Sequence, residues 1–273
     1  NGFAKFNGPD NRPIYPDNYK YTYTNSSNVV TGLPNAFVLT NTNKGYGGSA
    51  SVSLNMQPTK AINIAAAYTR TVSKELTGMP GSDASSAFTY IPTYEGPNNT
   101  KLHNSQYVTP DRAYVSLTIN DRSNNHYSFF YEAWRGGYNY SYMYTNDMNG
   151  DSYKYDAIYI PKSKDELLFV SQDDADRFWN YLEHDSYLKN HKGKYAEAYS
   201  VYSPWANTVD FRYAHDFKIN IGKTVNTLQL NFNISNLLNM FNSSWGVSKY
   251  MNPTLNSGRI LTYEGVNANG VPV

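Results

Sequence analysis

The chain has 273 residues, enough for one large domain or two ordinary ones, and its 23 Lys+Arg against 22 Asp+Glu leave a formal net charge of +1. Near-neutrality removes the broad basic field that would draw nucleic acid, so nucleic-acid binding is not expected. Cysteine is absent, which excludes a disulfide framework and thiolate metal sites while leaving the compartment open.

Tyrosine is the compositional outlier: 27 Tyr bring the aromatic share to 16%, while charged residues also make up only 16%, against a usual level of about 25%. No apolar run approaches the ~20 residues a membrane-spanning helix requires. The opening stretch "NGFAKFNGPDNRP" has neither the basic nor the apolar region of a signal peptide. These features exclude a helical membrane protein and fit a mature exported chain, or a piece of one.

In chain order, the first strand signal is "SASVSLNMQ" (49–57), where Ala50, Val52, Leu54 and Met56 share one face and Ser51, Ser53 and Asn55 the other. The short connection "QPTK" (57–60) leads to "AINIAAAYT" (61–69), with Ile62, Ile64, Ala66 and Tyr68 on its apolar face. A long connection over 73–110 follows. "DRAYVSLTIN" (111–120) then sets Ala113, Val115, Leu117 and Ile119 against Arg112, Ser116, Thr118 and Asn120. After "DRSNN" (121–125), "HYSFFYEAW" (126–134) sets Tyr127, Phe129, Tyr131 and Ala133 against Ser128, Glu132 and Trp134.

The longest connection, 138–206, contains one helical pattern, "SQDDADRFWNYLEHDSYLKNHKG" (171–193). Ser171 caps it, Asp173 and Asp174 complement its dipole, Ala175, Phe178, Trp179 and Leu182 form a stripe, and Gly193 stops it. Strand signals resume at "VDFRYAHDFKINI" (209–221), turn through "GKTV" (222–225) and continue in "LQLNFNI" (228–234). A connection over 237–257 precedes the weakest pattern, "GRILTYEG" (258–265).

Seven strands thus alternate with connections that are strictly short, then long. Compact domains rarely hold structureless loops beyond about 12–15 residues, whereas up-and-down transmembrane barrels combine short turns on one side with long loops on the other. A soluble β-sandwich has the same alternation with its apolar face turned inward. Mid-strand Asp, Arg and Lys on the polar faces favour a barrel with a wet lumen. The fold class expected is therefore all-β: an antiparallel up-and-down transmembrane β-barrel portion of about seven strands, with one helix in a long extracellular loop.

Three stretches go beyond pattern: "YTNDMNGDSYKYDAIYIPK" (144–162), "LKNHKGKYAEAYSVYSPWANTVDFRYAHDF" (188–217) and "NTLQLNFNISNLLNMFNSSWG" (226–246). In order and approximate spacing they resemble the C-terminal barrel of TonB-dependent outer-membrane transporters of the Bacteroidetes Oar-like type. "LTNTNKGYGGSASVSLNMQ" (39–57) resembles an earlier strand of the same barrel. The resemblance implies a bacterial outer-membrane location, substrate binding at extracellular loops and import through a plugged barrel. The implied partners are outer-membrane lipid, the remainder of the barrel and plug, the TonB–ExbB–ExbD energy system and a surface lipoprotein. No plug or TonB box is found in residues 1–273, which are expected to be the C-terminal part of the barrel. The ending "VNANGVPV" lacks the terminal aromatic usual in such barrels, so the true C-terminus is expected a few residues further on. The alternative is an outer-membrane or secreted β-rich binding module, or adhesin, that transports nothing.

Two local clusters are candidate sites. Trp134, Tyr138, Tyr140, Tyr142 and Tyr144 alternate where a strand would rise above the membrane. They fit either a stacking surface for a peptide or sugar or an ordinary aromatic girdle with strand extension. In "NDMNGDSYKYD" (146–156), Asp147, Asn149 and Asp151 have the one-three-five spacing of a calcium loop, and Asp156 adds an oxygen. The EF-hand's twelfth-position acid is replaced by Ile158 and the glycine falls early, so a turn whose Asn and Asp cap their own backbone fits as well. Ca²⁺ is the one cofactor suggested. No enzyme is expected: the five histidines are scattered and no nucleophile-elbow, zincin or phosphate-loop motif occurs. Asp210, Arg212, Asp216 and Lys218 share a strand face and are expected to pair with one another across a wet wall.

Overall fold

A computed structural model describes residues 3–15, 22–24, 30–32, 37–78, 83–251 and 258–273. Its frame is a sheet of six long strands: β1 (Tyr46–Thr59), β2 (Ile62–Glu75), β3 (Asp111–Asn120), β4 (Asn125–Arg135), β5 (Ala206–Ile221) and β6 (Thr224–Ile234). They lie side by side in sequence order, each antiparallel to the next, and the two-residue strand His103–Asn104 adds to the upper end of β2. Each long strand grows from one of the alternating patterns, because period-two apolarity gives a strand one apolar face.

Register aligns those faces into rows across the sheet. One row runs Met56, Ile64, Leu117, Phe129, Phe211, Ile234; its neighbours run Leu54, Ala66, Val115, Tyr131, Val209 and Ile62, Ile119, Tyr127, Tyr213, Phe232. Aromatic pairs reinforce them: Phe129 and Phe211 rings lie 5.0 Å apart and Tyr127 and Tyr213 rings 5.4 Å apart. The tight turns all fall at one end of the sheet. The clearest joins β5 to β6 through Gly222 and Lys223, where Gly222 takes φ +62°, the conformation that a two-residue hairpin asks of its first central residue.

The sheet is not closed into a barrel. β1 pairs only with β2 and β6 only with β5, so both edges are open among the described residues. The seventh strand expected over 258–265 is corrected: only Arg259–Leu261 is extended, and it pairs in parallel with Met143–Tyr144. Backbone bonds from Met143 N to Gly258 O (2.8 Å) and from Thr145 N to Leu261 O (2.7 Å) tie it to a loop and away from the meander.

The opposite end of the sheet carries a second body, assembled from residues 3–15, the connections after β2 and β4, and residues 258–273; positions 79–82 and 252–257 of the long connections lie outside the described residues. The hydrophobic core is here, not under the sheet: Phe6, Tyr142, Tyr144, Ile158, Ile160, Phe178, Leu182 and Leu188 are all buried in one cluster. The expected helix is α1 (Gln172–His184), and the Ser171 side chain accepts from Asp174 N as its cap. Phe178 and Leu182 are its buried stripe, flanked by the partly buried Ala175 and Trp179. It ends at His184, earlier than Gly193, because Asp185 leaves the helical conformation and its carboxylate takes the amides of Tyr187 and Leu188. Among the described residues no helix is long and apolar enough to cross a membrane.

Candidate functional site

The polar face of the sheet, where it meets the loop body, holds a groove of about 690 Å³. Its floor follows from side-chain size. On this face β1 and β2 place Gly47 opposite Ser73, Ser49 opposite Thr71, and Ser51 opposite Thr69, so small residues leave the space that larger ones would fill. Ser51 Oγ and Thr69 Oγ1 are 2.8 Å apart. Arg112 of β3 and Glu132 and Trp134 of β4 form one side. Arg112 donates from Nε to Glu132 Oε1 at 2.6 Å, and its Nη2 lies 2.5 Å from the same oxygen.

An exposed aromatic wall adjoins the groove. Tyr107 meets Tyr138 edge-on at 5.8 Å, and Tyr138 stacks on Tyr250 at 5.4 Å; all three rings are more than half exposed. The turn that places Tyr138 depends on glycine. Gly136 has φ +87°, and a Cβ there would stand 2.6 Å from Pro110 Cδ and 2.8 Å from Val108 O. Gly137 N donates to Val108 O at 3.0 Å, and Asn139 Nδ2 donates to the carbonyls of Ser105 (3.1 Å) and Val108 (3.0 Å), which locks the two connections together.

This turn separates the five aromatics singled out in the sequence. Trp134 lines the groove and Tyr138 stands on the wall. Tyr140 is half-buried, while Tyr142 and Tyr144 are core residues at 0% and 5% exposure. The chain does not continue as a rising strand after Arg135; it folds at Gly136–Gly137 and enters the body. Tyr142 spends its hydroxyl inside, donating to Asp185 Oδ2 at 2.7 Å and lying 3.0 Å from Tyr181 Oη, and burial raises its pKa far above the phenol's ordinary value.

The four calcium-loop candidates lie close together, but their oxygens are used by backbone amides. Asp147 accepts from Gly150 N (2.8 Å) and Ser152 N (2.7 Å), Asn149 Oδ1 from Asp151 N (3.0 Å), Asp151 from Tyr153 N (2.8 Å), and Asp156 from Met148 N (2.9 Å). This is how Asn and Asp stabilise turns, and among the described residues no cluster of three or more His, Cys, Asp or Glu is arranged for a metal. Burial pushes Asp156 up to about 7 and Asp151 up to about 6, against partial opposition from the Arg12 charge.

Arg12 is the residue that sequence reasoning missed. Its side chain is fully buried and meets Asp10 through Nε (3.0 Å) and Nη2 (2.8 Å), the carbonyl of Ala157 (2.8 Å) and Asp156 (3.6 Å). The rings of Tyr144 and Tyr195 lie 5.1 and 5.4 Å from it, and Tyr195 donates to Asp10 Oδ1 at 2.9 Å. Burial opposes the charge, but Asp10 above all outweighs it and holds the guanidinium above its ordinary pKa. This knot pins residues 3–15 into the body.

The acid and base set on β5 also differs from expectation. Asp210 accepts from Asn236 N at 2.7 Å, Arg212 donates to Asn231 (2.5 Å) and Gln229 (3.2 Å), and Asp216 accepts from Gln229 at 2.8 Å and faces His126 at 3.1 Å. Asp210, Arg212 and Asp216 are thus held by amides and a histidine instead of by one another, since same-face neighbours along a strand stand about 6.6 Å apart.

Comparison with protein-family models, with curated proteins and with solved structures returns no match.

Proposed function

We propose that this chain forms the C-terminal part of the wall, and the ligand-facing outer body, of a TonB-dependent receptor in the bacterial outer membrane. The observation that carries the reading is the exposed apolar face. On this face Val52 is 76% and Leu54 54% exposed on β1, Leu230 60% and Phe232 57% on β6, and on the inner strands Val115 is 38%, Phe129 36% and Tyr131 38% exposed, while the buried core lies elsewhere. A continuous apolar surface of this kind needs a cover, and lipid covers a barrel wall. Dimensions agree: Val209 to Ile221 is about 40 Å of strand at about 3.3 Å per residue, hence about 28 Å of membrane normal at a tilt of about 45°. The small side chains on the polar face of β1 and β2 suit a lumen that receives a plug, and the open edges of β1 and β6 suit pairing with further strands. Substrate would meet Trp134, Tyr107 and Tyr138 at the mouth and pass inward with energy from the TonB–ExbB–ExbD system, with a surface lipoprotein as its lid.

The chain has no cysteine, so single-cysteine variants report without background. In bilayers, bimane at Leu54, Phe129 and Leu230 is expected to be quenched by brominated lipid, and at Ser53, Ser116 and Asn231 by aqueous iodide. Aqueous quenching at both sets would sink the wall. Uptake by the full-length protein that persists without TonB, or binding with no uptake at all, would favour the adhesin reading instead.

A further inference from the structure

Charge on the apolar face is confined to the end that meets the loop body. In register, Ala50, Arg70, Asp111 and Arg135 form one row near that end, and Lys74 stands on the same face of β2 four residues further on, beyond Val72 and opposite Tyr46. Toward the hairpin-turn end the same face carries Ile62, Ile119, Phe217, Ile219 and Ile221. Two of these three cations, Arg70 and Arg135, share one carboxylate. Asp111, 5% exposed, draws Arg70 Nη1 to 2.7 Å and Arg135 Nη2 to 2.6 Å and accepts from the Tyr68 hydroxyl at 2.5 Å.

This arrangement fixes two guanidiniums side by side. Asp111 neutralises one charge and aligns the second, while Arg70 and Arg135 remain 47% and 34% exposed. The Tyr202 ring, 5.2 Å from Arg135, backs the outer guanidinium. Tyr46 and Tyr68 are both exposed on the same face beside them, and the Tyr68 hydroxyl reaches Asp111, the placement aromatic residues adopt where hydrocarbon gives way to headgroups. Guanidinium pairs bind phosphate oxygens in a planar fork.

We infer that Arg70, Lys74 and Arg135 form a docking site for the phosphate of an anionic lipid headgroup at the outer rim of the wall. The inference rests on the wall reading above. It gives the sheet an orientation, with the loop-body end seated in an anionic leaflet surface.

The test uses the full chain on phosphatidylcholine vesicles with and without phosphatidylglycerol, read by flotation, with bimane at Leu54→Cys reporting burial. Anionic vesicles are expected to hold the chain about 25-fold more tightly, since each basic residue near an anionic surface is worth roughly fivefold and Asp111 leaves two of the three cations unneutralised. Arg70→Gln with Arg135→Gln should abolish the preference, and Arg70→Lys with Arg135→Lys should keep most of it, which separates lost charge from lost fold. An unchanged preference in the glutamine variant overturns the site. So does an equal loss on Lys60→Gln with Lys223→Gln at the turn end, because that is general attraction. Abolition by millimolar inorganic phosphate overturns the lipid source in favour of free phosphate. Bimane buried in both vesicle types with no headgroup preference overturns the site and keeps the wall; bimane exposed in both overturns the wall.

Discussion

The sheet and the loop body solve opposite problems with similar residues. In the body, Leu182 and Leu188 are at 0% exposure inside a closed cluster. In the sheet, Leu54 and Phe232 sit in register with Ala66 and Tyr213 yet are more than half exposed. Apolar patterning tells which residues share a face, but not what covers it, and among the described residues only one of the two apolar systems is covered by the chain itself. The body is stabilised by its own contacts; the sheet's apolar face is left half-buried to exposed among the described residues.

The largest effect should come from removing the charge that centres the body. Arg12→Met leaves Asp10 and Asp156 buried without their cation, and breaking a buried pair from one side costs about 3–5 kcal/mol. Urea denaturation followed by amide exchange is expected to show residues 142–160 losing protection while the β3–β4 ladder keeps its own. Equal loss in both regions would mean that the body and sheet unfold as one unit. Leu182→Ala should follow at about 2–5 kcal/mol, with the same regional split, because Leu182 is fully buried in the α1 stripe.

Acid offers a gentler probe of the same knot. Burial pushes Asp156 up to about 7 and Asp151 up to about 6, above the unfolded carboxyl near about 3.9. The native body therefore binds more protons than the unfolded chain between those limits, and its stability falls as pH rises from about 4 to about 7. Moving from pH 7.5 to pH 5 should strengthen the body on the order of 4 kcal/mol, the larger part from Asp156. Asp156→Asn should remove most of that slope, read from urea midpoints across the pH series. A slope of opposite sign would mean that Arg12 keeps Asp156 ionised throughout.

The sheet was more legible in the sequence than the body was. Its six long strands and three tight turns are local: period-two alternation and Gly222 declare themselves within a few residues. The Ser171 cap and the stripe through Phe178 and Leu182 are equally local. The body depends on distant contacts. Arg12 bonds a carbonyl 145 positions away, and nothing in "NGFAKFNGPDNRP" marks that segment for burial. The five alternating aromatics read as one surface because the fold at Gly136–Gly137, a two-residue event, sends three of them inward. Arg259–Leu261 went the same way: eight residues of weak alternation cannot say whether their partner is a sheet edge or a loop.

The smallest expected effect is the most diagnostic of the difference between the two regions. In detergent micelles Leu54→Ala and Leu230→Ala should each change stability by no more than about 0.5 kcal/mol, as exposed substitutions do, because detergent fills the space the side chain leaves. Leu182→Ala creates a cavity that detergent cannot reach. The same chemical change thus separates a face solvated from outside from a core packed by the chain itself. If Leu54→Ala instead cost as much as Leu182→Ala, protein would be packed on the apolar rows. The sheet would then be half of a sandwich whose second layer lies elsewhere, and the small-residue groove on its polar face would have to be its solvent side.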